Sequence, residues 1–289
     1  MDTPRRIGDA IDILGEGPVW CPQTQALWWV DIKAPAVRRW DSATDAVRSW
    51  TMPEDAGSLA LRVGGGVLVA LKSGFCFLDP DTGVVTPAAP PHGEEAMMRF
   101  NDGRCDRQGR FWAGTMDDSD CSFRGRLYRL DPSGDVRAVL EGIAIPNGLC
   151  WSPDGRTMYF TDSPTRTILA FAYDPTTGMP GERRVFATID EPGIPDGAIT
   201  DAEGYLWSAE FGNGRITRYA PDGRVDRRLV VPVSQPTCCA FGGADLTTLF
   251  VTCARVGLSE DVLARQPLAG AVLAYESGVR GLPEPRYAG

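Results

Sequence analysis

Along the whole chain a turn is repeatedly followed by a short apolar run ending on a large side chain. The copies are Thr24-Gln25-Ala26-Leu27-Trp28, Gln108-Gly109-Arg110-Phe111-Trp112, Asp154-Gly155-Arg156-Thr157-Met158-Tyr159, Glu203-Gly204-Tyr205-Leu206-Trp207 and Asp245-Leu246-Thr247-Thr248-Leu249-Phe250. A weaker copy, Gly65-Gly66-Val67-Leu68-Val69, fills the gap after the first. The anchors at 28, 69, 112, 159, 207 and 250 are separated by 41, 43, 47, 48 and 43 residues. A period in the forties with turn signals inside each unit predicts an all-β, six-bladed β-propeller of four-stranded antiparallel blades.

The fourth copy illustrates the unit. It predicts strands over 148–151, 158–162, 168–173 and 184–188, joined by Ser152-Pro153-Asp154-Gly155, Ser163-Pro164-Thr165-Arg166 and Asp174-Pro175-Thr176-Thr177-Gly178. These turns have the Pro, Asp and Gly chemistry that hairpins require. Helical periodicity is almost absent; 259–266 is the one helix expected, with Ser259 as its N-cap. Too few strand residues follow the sixth anchor to complete a blade, so the segment 5–14 is expected to supply the missing strand and fasten the ring. Residues 1–289 then form one propeller domain.

The composition narrows the functional classes. A net charge of −9 argues against a nucleic-acid footprint, which needs clustered Lys and Arg. No run is long and apolar enough for a membrane span, and Met1-Asp2-Thr3-Pro4 does not open a signal peptide. The eight cysteines form no Cys-x-x-Cys pair, which suits reduced, mostly buried thiols and a cytoplasmic protein. The adjacent Cys238 and Cys239 are the only pair with redox potential on spacing. A closed propeller needs no partner for stability, so a monomer is expected.

Four side chains share one phase of the repeat. Glu16, Asn101, Asn147 and Asp196 each precede an anchor by eleven or twelve residues. In radial repeats such positions meet at one end of the central channel; the other two blades offer Gly57 or Ser58 and Thr237 or Cys238. Singly, each polar residue reads as a solvated turn former, since Asn147-Gly148 and Asp196-Gly197 are good turn dipeptides. Their common register instead points to an oxygen cage. Opposed carboxylates in a narrow channel repel, and a divalent cation removes the conflict. Oxygen donors suit Ca²⁺, Mg²⁺ or Mn²⁺, with Zn²⁺ and Fe²⁺ also open, and so few protein donors leave coordination positions free for chemistry. Arg99, two residues before Asn101, leaves an extended strand on the same face. It reads equally as a substrate-holding guanidinium or a surface arginine.

Gly15-Glu16-Gly17-Pro18, Arg99-Phe100-Asn101-Asp102-Gly103, Gly114-Thr115-Met116, Pro146-Asn147-Gly148 and Pro195-Asp196-Gly197, in this order and spacing, resemble the regucalcin/gluconolactonase family over essentially the whole chain. The resemblance implies a six-bladed propeller that hydrolyses a sugar lactone with one divalent metal. It makes Glu16, Asn147 and Asp196 the metal ligands, and Arg99 and Asn101 substrate-binding residues. An acidic residue after Gly-Thr-Met, here Asp117 of the pair Asp117-Asp118, would contact sugar hydroxyls. The stretches Arg255-Val256-Gly257-Leu258-Ser259 and Pro267-Leu268-Ala269-Gly270 look like bacterial aldonolactonases, implying a pentono- or hexonolactone.

The expected chemistry is ester hydrolysis beside a Lewis acid, with water activated by the metal or by Asp196, both ligand and general base, and with Arg99 and Asn101 helping to hold the oxyanion. A Ser–His–Asp triad would rest on the single histidine, His92, which reads as an exposed loop residue; no Gly-x-Ser-x-Gly elbow is present. A phosphotriesterase-like propeller shares the expected cage, while a calcium-binding or interaction propeller is the rival without catalysis.

Overall fold

The computed structural model describes residues 3–90 and 97–289; Met1, Asp2 and His92 lie outside the described residues. Six four-stranded antiparallel sheets follow one another along the chain. Their innermost strands are Gly15–Cys21, Ala56–Leu61, Met98–Cys105, Pro146–Trp151, Ile194–Thr200 and Pro236–Gly242. Each packs against the inner strands of the neighbouring blades, so the six close a ring around the channel. Every anchor falls on the second strand of its blade. There Val19, Leu59, Arg104, Cys150, Ile199 and Ala240 pair with Trp28, Val69, Trp112, Tyr159, Trp207 and Phe250.

The fourth blade consists of Pro146–Trp151, Thr157–Asp162, Thr167–Asp174 and Met179–Thr188. Its outer strand is longer than the pattern predicts, because the Asp174 turn is tight enough for pairing to restart at Met179. The helix spans Glu260–Arg265, with the Ser259 hydroxyl accepting from the Val262 N–H at 3.4 Å. Closure of the ring uses Arg5–Ile7, which pairs outside Val272–Glu276 of the sixth blade. Ring closure leaves the sheet ends no unpartnered gap between first and last blades.

Among the described residues the core is not one mass but six clusters, one between each pair of neighbouring blades. Trp20 of the first blade stacks on Phe250 of the sixth at 5.4 Å, and Trp207 meets Phe241 edge-on at 5.8 Å. Aromatic side chains suit these wedges because each buries a large apolar area between two twisted sheets. Buried aspartates brace the blades. Asp106 and Asp201 accept the indole N–H of Trp112 and Trp207, and also the N–H groups of their own turns. No helix among the described residues is long and apolar enough to cross a membrane.

All six inner strands carry a register shift at the same level: after Glu16, Ala56, Phe100, Asn147, Pro195 and Pro236. The residues expected in loops therefore sit within strands, on β-bulges. A bulge re-aims a side chain that regular pleating would direct elsewhere. Gly148 shows why the motif needs glycine: its φ of +63° is left-handed, and an added Cβ would stand 3.3 Å from the Asp196 carbonyl oxygen. Gly57 serves close approach instead, since a Cβ there would lie 2.4 Å from the Phe100 carbonyl oxygen.

Candidate functional site

Glu16, Asn101, Asn147 and Asp196 are all buried in the channel wall. Glu16 and Asp196, from the first and fifth blades, stand within hydrogen-bonding reach of each other, and the Glu16 carboxylate also accepts the Gly17 N–H at 2.9 Å. Asn101 donates through Nδ2 to Asn147 Oδ1 at 3.0 Å and to the Pro146 carbonyl at 3.0 Å. Asn147 donates through Nδ2 to Ser163 Oγ at 2.9 Å. The four residues that share a phase of the repeat thus form two contacting pairs in the channel wall, Glu16 with Asp196 and Asn101 with Asn147.

Arg99 is buried too, and is no surface arginine. Its Nη1 donates to Asn101 Oδ1 at 2.8 Å and to the Phe100 carbonyl at 3.0 Å, and its Nε to Asp118 Oδ1 at 2.5 Å. Lys33 holds the other oxygen of Asp118 at 2.7 Å and reaches Asp55 at 3.1 Å. Burial acts to raise the Asp118 carboxyl, but the bonds from Lys33 and Arg99 outweigh it and keep the group below its usual range. Asp117 points elsewhere: it is fully buried and accepts from the Ser119 N–H at 2.9 Å, from Ser119 Oγ, and from Arg124. It braces its own loop, and Asp118 is the acidic neighbour of Arg99.

Sequence reasoning missed the layer beneath the cage. Asp102 is buried and accepts the Leu149 N–H at 2.9 Å, tying down the bulge that carries Asn147. Arg104 lies below it and donates to Glu284 at 2.6 Å, while its Nη2 approaches Cys238 Sγ at 3.8 Å. Asp102 could have been suspected from its place in Asn101-Asp102-Gly103. Glu284 could not, because the C-terminal segment reaches the channel from outside the repeat.

The electrostatics follow from this crowding. Burial pushes the Glu16 carboxyl upward and the nearby Asp102 charge adds to it, against smaller opposing effects of the Gly17 N–H and Arg99. Asp196 is raised well above its ordinary value by burial, then by Glu16 and Asp102. Two carboxylates so placed either share a proton or need a cation between them to stay ionised together. Burial also lifts the Cys238 and Cys239 thiols, so neither is the reactive thiolate that a redox pair requires.

The donor set suits a divalent cation on its own chemistry. Glu16 and Asp196 contribute carboxylates, Asn147 an amide oxygen, and all three are hard donors. Ser58, at the matching position of the second blade, is fully buried with a hydroxyl that has no partner among the described residues. Among the described residues no three His, Cys, Asp or Glu side chains form a metal nest, because here the third donor is an amide. The residues fit the group. A groove of about 490 Å³ lies between the outer parts of the third and fourth blades. Its one buried carboxylate, Asp162, accepts the Ala144 and Ile145 N–H groups, so it has no counterpart of the carboxylate pair in the channel.

Fold and site together define a six-bladed propeller with an oxygen-donor centre at one level of its channel. Residues 14–255 match the family described as SMP-30/Gluconolactonase/LRE-like region, and the chain belongs to that family. It is 39% identical over 280 residues to a 6-deoxy-6-sulfogluconolactonase of Pseudomonas putida, covering 96% of each chain. It is 40% identical over 288 residues to an L-arabinolactonase of Azospirillum brasilense, covering 98% of this chain and 95% of that one. Among solved structures it resembles the calcium-binding protein regucalcin of Agrobacterium tumefaciens, with a TM-score of 0.93 and 34% identity over 98% of this chain and 96% of that one.

Proposed function

We propose that the protein is a hydrolase of carboxylic esters that opens a sugar lactone to its aldonic acid, with a divalent cation held by Glu16, Asn147 and Asp196. The observation that carries this reading is the buried carboxylate pair Glu16 and Asp196 in the channel, with Asn147 buried at the matching bulge of the adjoining blade. The lactonase names of two full-length relatives support the reaction class. Eight free thiols suit the expected cytoplasmic setting, and a monomer suffices because the channel site draws on one chain.

When bound, the cation supplies Lewis-acid polarisation of the ester and lowers the pKa of water. The chain's own residues do the rest. Asp196 takes a proton from the attacking water as its oxygen adds to the carbonyl carbon. The bond from that carbon to the ring oxygen then breaks, and the ring oxygen receives the proton. Arg99 is clamped by Asp118, Phe100 and Asn101, which leaves Nη2 to hold a substrate oxygen without reorganisation. Both Nδ2 hydrogens of Asn101 are engaged, so Asn101 meets a sugar hydroxyl as an acceptor and does not donate to the oxyanion. Asp118 and Lys33 form the polar rim that meets the remaining hydroxyls.

The deciding experiment is a pH-stat assay on pentono- and hexonolactones and on a phosphotriester, with chelator-treated protein as control and elemental analysis of the purified protein. Lactone hydrolysis that is lost with the metal is expected. Phosphotriester turnover without lactone turnover would replace the reading by a phosphotriesterase. A tightly bound calcium without turnover of either would make this a calcium-binding propeller.

A further inference from the structure

We infer that Ser163 is a positioning residue for the cage: its hydroxyl fixes which end of the Asn147 amide faces the channel, and so presents Oδ1 to the cation. The inference rests on reading Asn147 as a ligand beside Glu16 and Asp196. An amide has two ends of nearly equal shape and opposite polarity. Reversed, Asn147 would aim N–H groups at a cation and bind none.

Two independent constraints set the direction. Pro195 offers only a carbonyl, so Ser163 spends its single hydrogen on it at 2.8 Å. Towards Asn147 the hydroxyl then has only lone pairs, and Asn147 must answer with Nδ2, as it does at 2.9 Å. From the other side Arg99 is a donor only and claims Asn101 Oδ1 at 2.8 Å. Asn101 therefore turns Nδ2 towards Asn147, which must answer with Oδ1, at 3.0 Å. A flipped Asn147 would set donor against donor at Asn101. At Ser163 it would set lone pair against lone pair, or orphan the Pro195 carbonyl.

Ser163 itself has no freedom to yield. It is fully buried and begins the short 3-10 turn Ser163–Thr165, and its N–H donates to the Ile145 carbonyl at 3.0 Å. Asn147 lies two residues beyond Ile145, and Asp196 follows Pro195, so one hydroxyl ties the strand of one ligand to the strand of another. In the sequence Ser163 is visible only as the first residue of a Ser-Pro turn.

The test is calorimetric titration of chelator-treated protein with Mn²⁺ and Ca²⁺ alone, which reads binding without turnover. Ser163→Ala is expected to weaken binding about tenfold to a hundredfold, the usual effect of losing an outer partner of a ligand. Asn147→Asp has two equivalent oxygens and no orientation to fix. In that background, adding Ser163→Ala should leave affinity unchanged within about twofold, the scatter expected of independent sites. A merely structural role would weaken binding equally in both backgrounds, and that result overturns the inference, as does a Ser163→Ala protein that binds like wild type. If wild type binds no cation, the cage reading fails and takes this one with it; loss confined to the Ser163 prediction leaves the cage intact. Ser163→Cys, similar in size and a poor hydrogen-bonding group, serves if Ser163→Ala does not fold.

Discussion

Glu16 and Asp196 set the chemistry available at the residue scale, because burial alone would favour a proton on each. Asp196→Asn keeps the shape and removes the base, so turnover should fall by at least about a hundredfold, the lower end of what a positioned base contributes. Near-native turnover with an unchanged circular dichroism spectrum would remove Asp196 from the mechanism. Asp12 carries a separate pH effect. It is fully buried beneath Trp29 and Arg38, and burial raises its carboxyl from 3.8 to about 7, against the opposing pull of Arg38. The folded state then holds a proton that the unfolded chain has released. Its contribution to stability is complete below pH ~4 and is lost as pH rises through ~7. Asp12→Asn cannot ionise, so urea unfolding of chelated protein should show wild type losing stability relative to the variant across that window. A constant difference between the two at every pH would refute the assignment. Asp196 could be named from the sequence by its register with Trp207, whereas the identity of the acidic partner of Arg99 could not. Asp117 and Asp118 are adjacent, and only the loop's fold decides that Asp117 turns inward to Ser119 and Arg124 while Asp118 meets Arg99.

The bulge is the decisive element. Regular pairing would alternate Glu16, Asn147 and Asp196 with their neighbours across the pleat, and the shift in every inner strand re-aims them together. Gly148→Ala forces a side chain into a left-handed conformation, costing about 1–2 kcal/mol, and crowds Thr161 Cγ2 at 3.1 Å. The expected outcome is a modest fall in melting temperature together with a larger loss of Mn²⁺ affinity, because the strain falls on the residue after Asn147. A fall in melting temperature with unchanged affinity would mean that the bulge is not needed to present Asn147. The turn-rich dipeptides Asn147-Gly148 and Asp196-Gly197 are legible as places where the chain bends. Whether a bend becomes a hairpin turn or a bulge depends on the partner strand, which lies outside any local window.

For the whole molecule, cohesion resides in the six interblade clusters and in the closure of Arg5–Ile7 on Val272–Glu276, not in the channel. Removal of the cation should therefore abolish turnover while leaving the β-sheet spectrum intact. Stability should fall only by the linkage amount, about 2.7 kcal/mol at a hundredfold excess of ligand over its dissociation constant, and the melting temperature should drop accordingly. Unfolding on chelation would make the cation structural.

What the sequence by itself determined is periodic: six anchors, six blades, the closing N-terminal strand and the four polar residues in one phase. Periodicity survives in one dimension because each blade repeats the same strand pattern. Tertiary structure alone decided the rest. It brought Glu16 against Asp196 across 179 intervening positions, set Glu284 beneath Arg104, and turned the Asn147 amide through Ser163. These are contacts between residues distant in the chain, and the polarity of a hydrogen bond depends on the partner that the folded chain supplies.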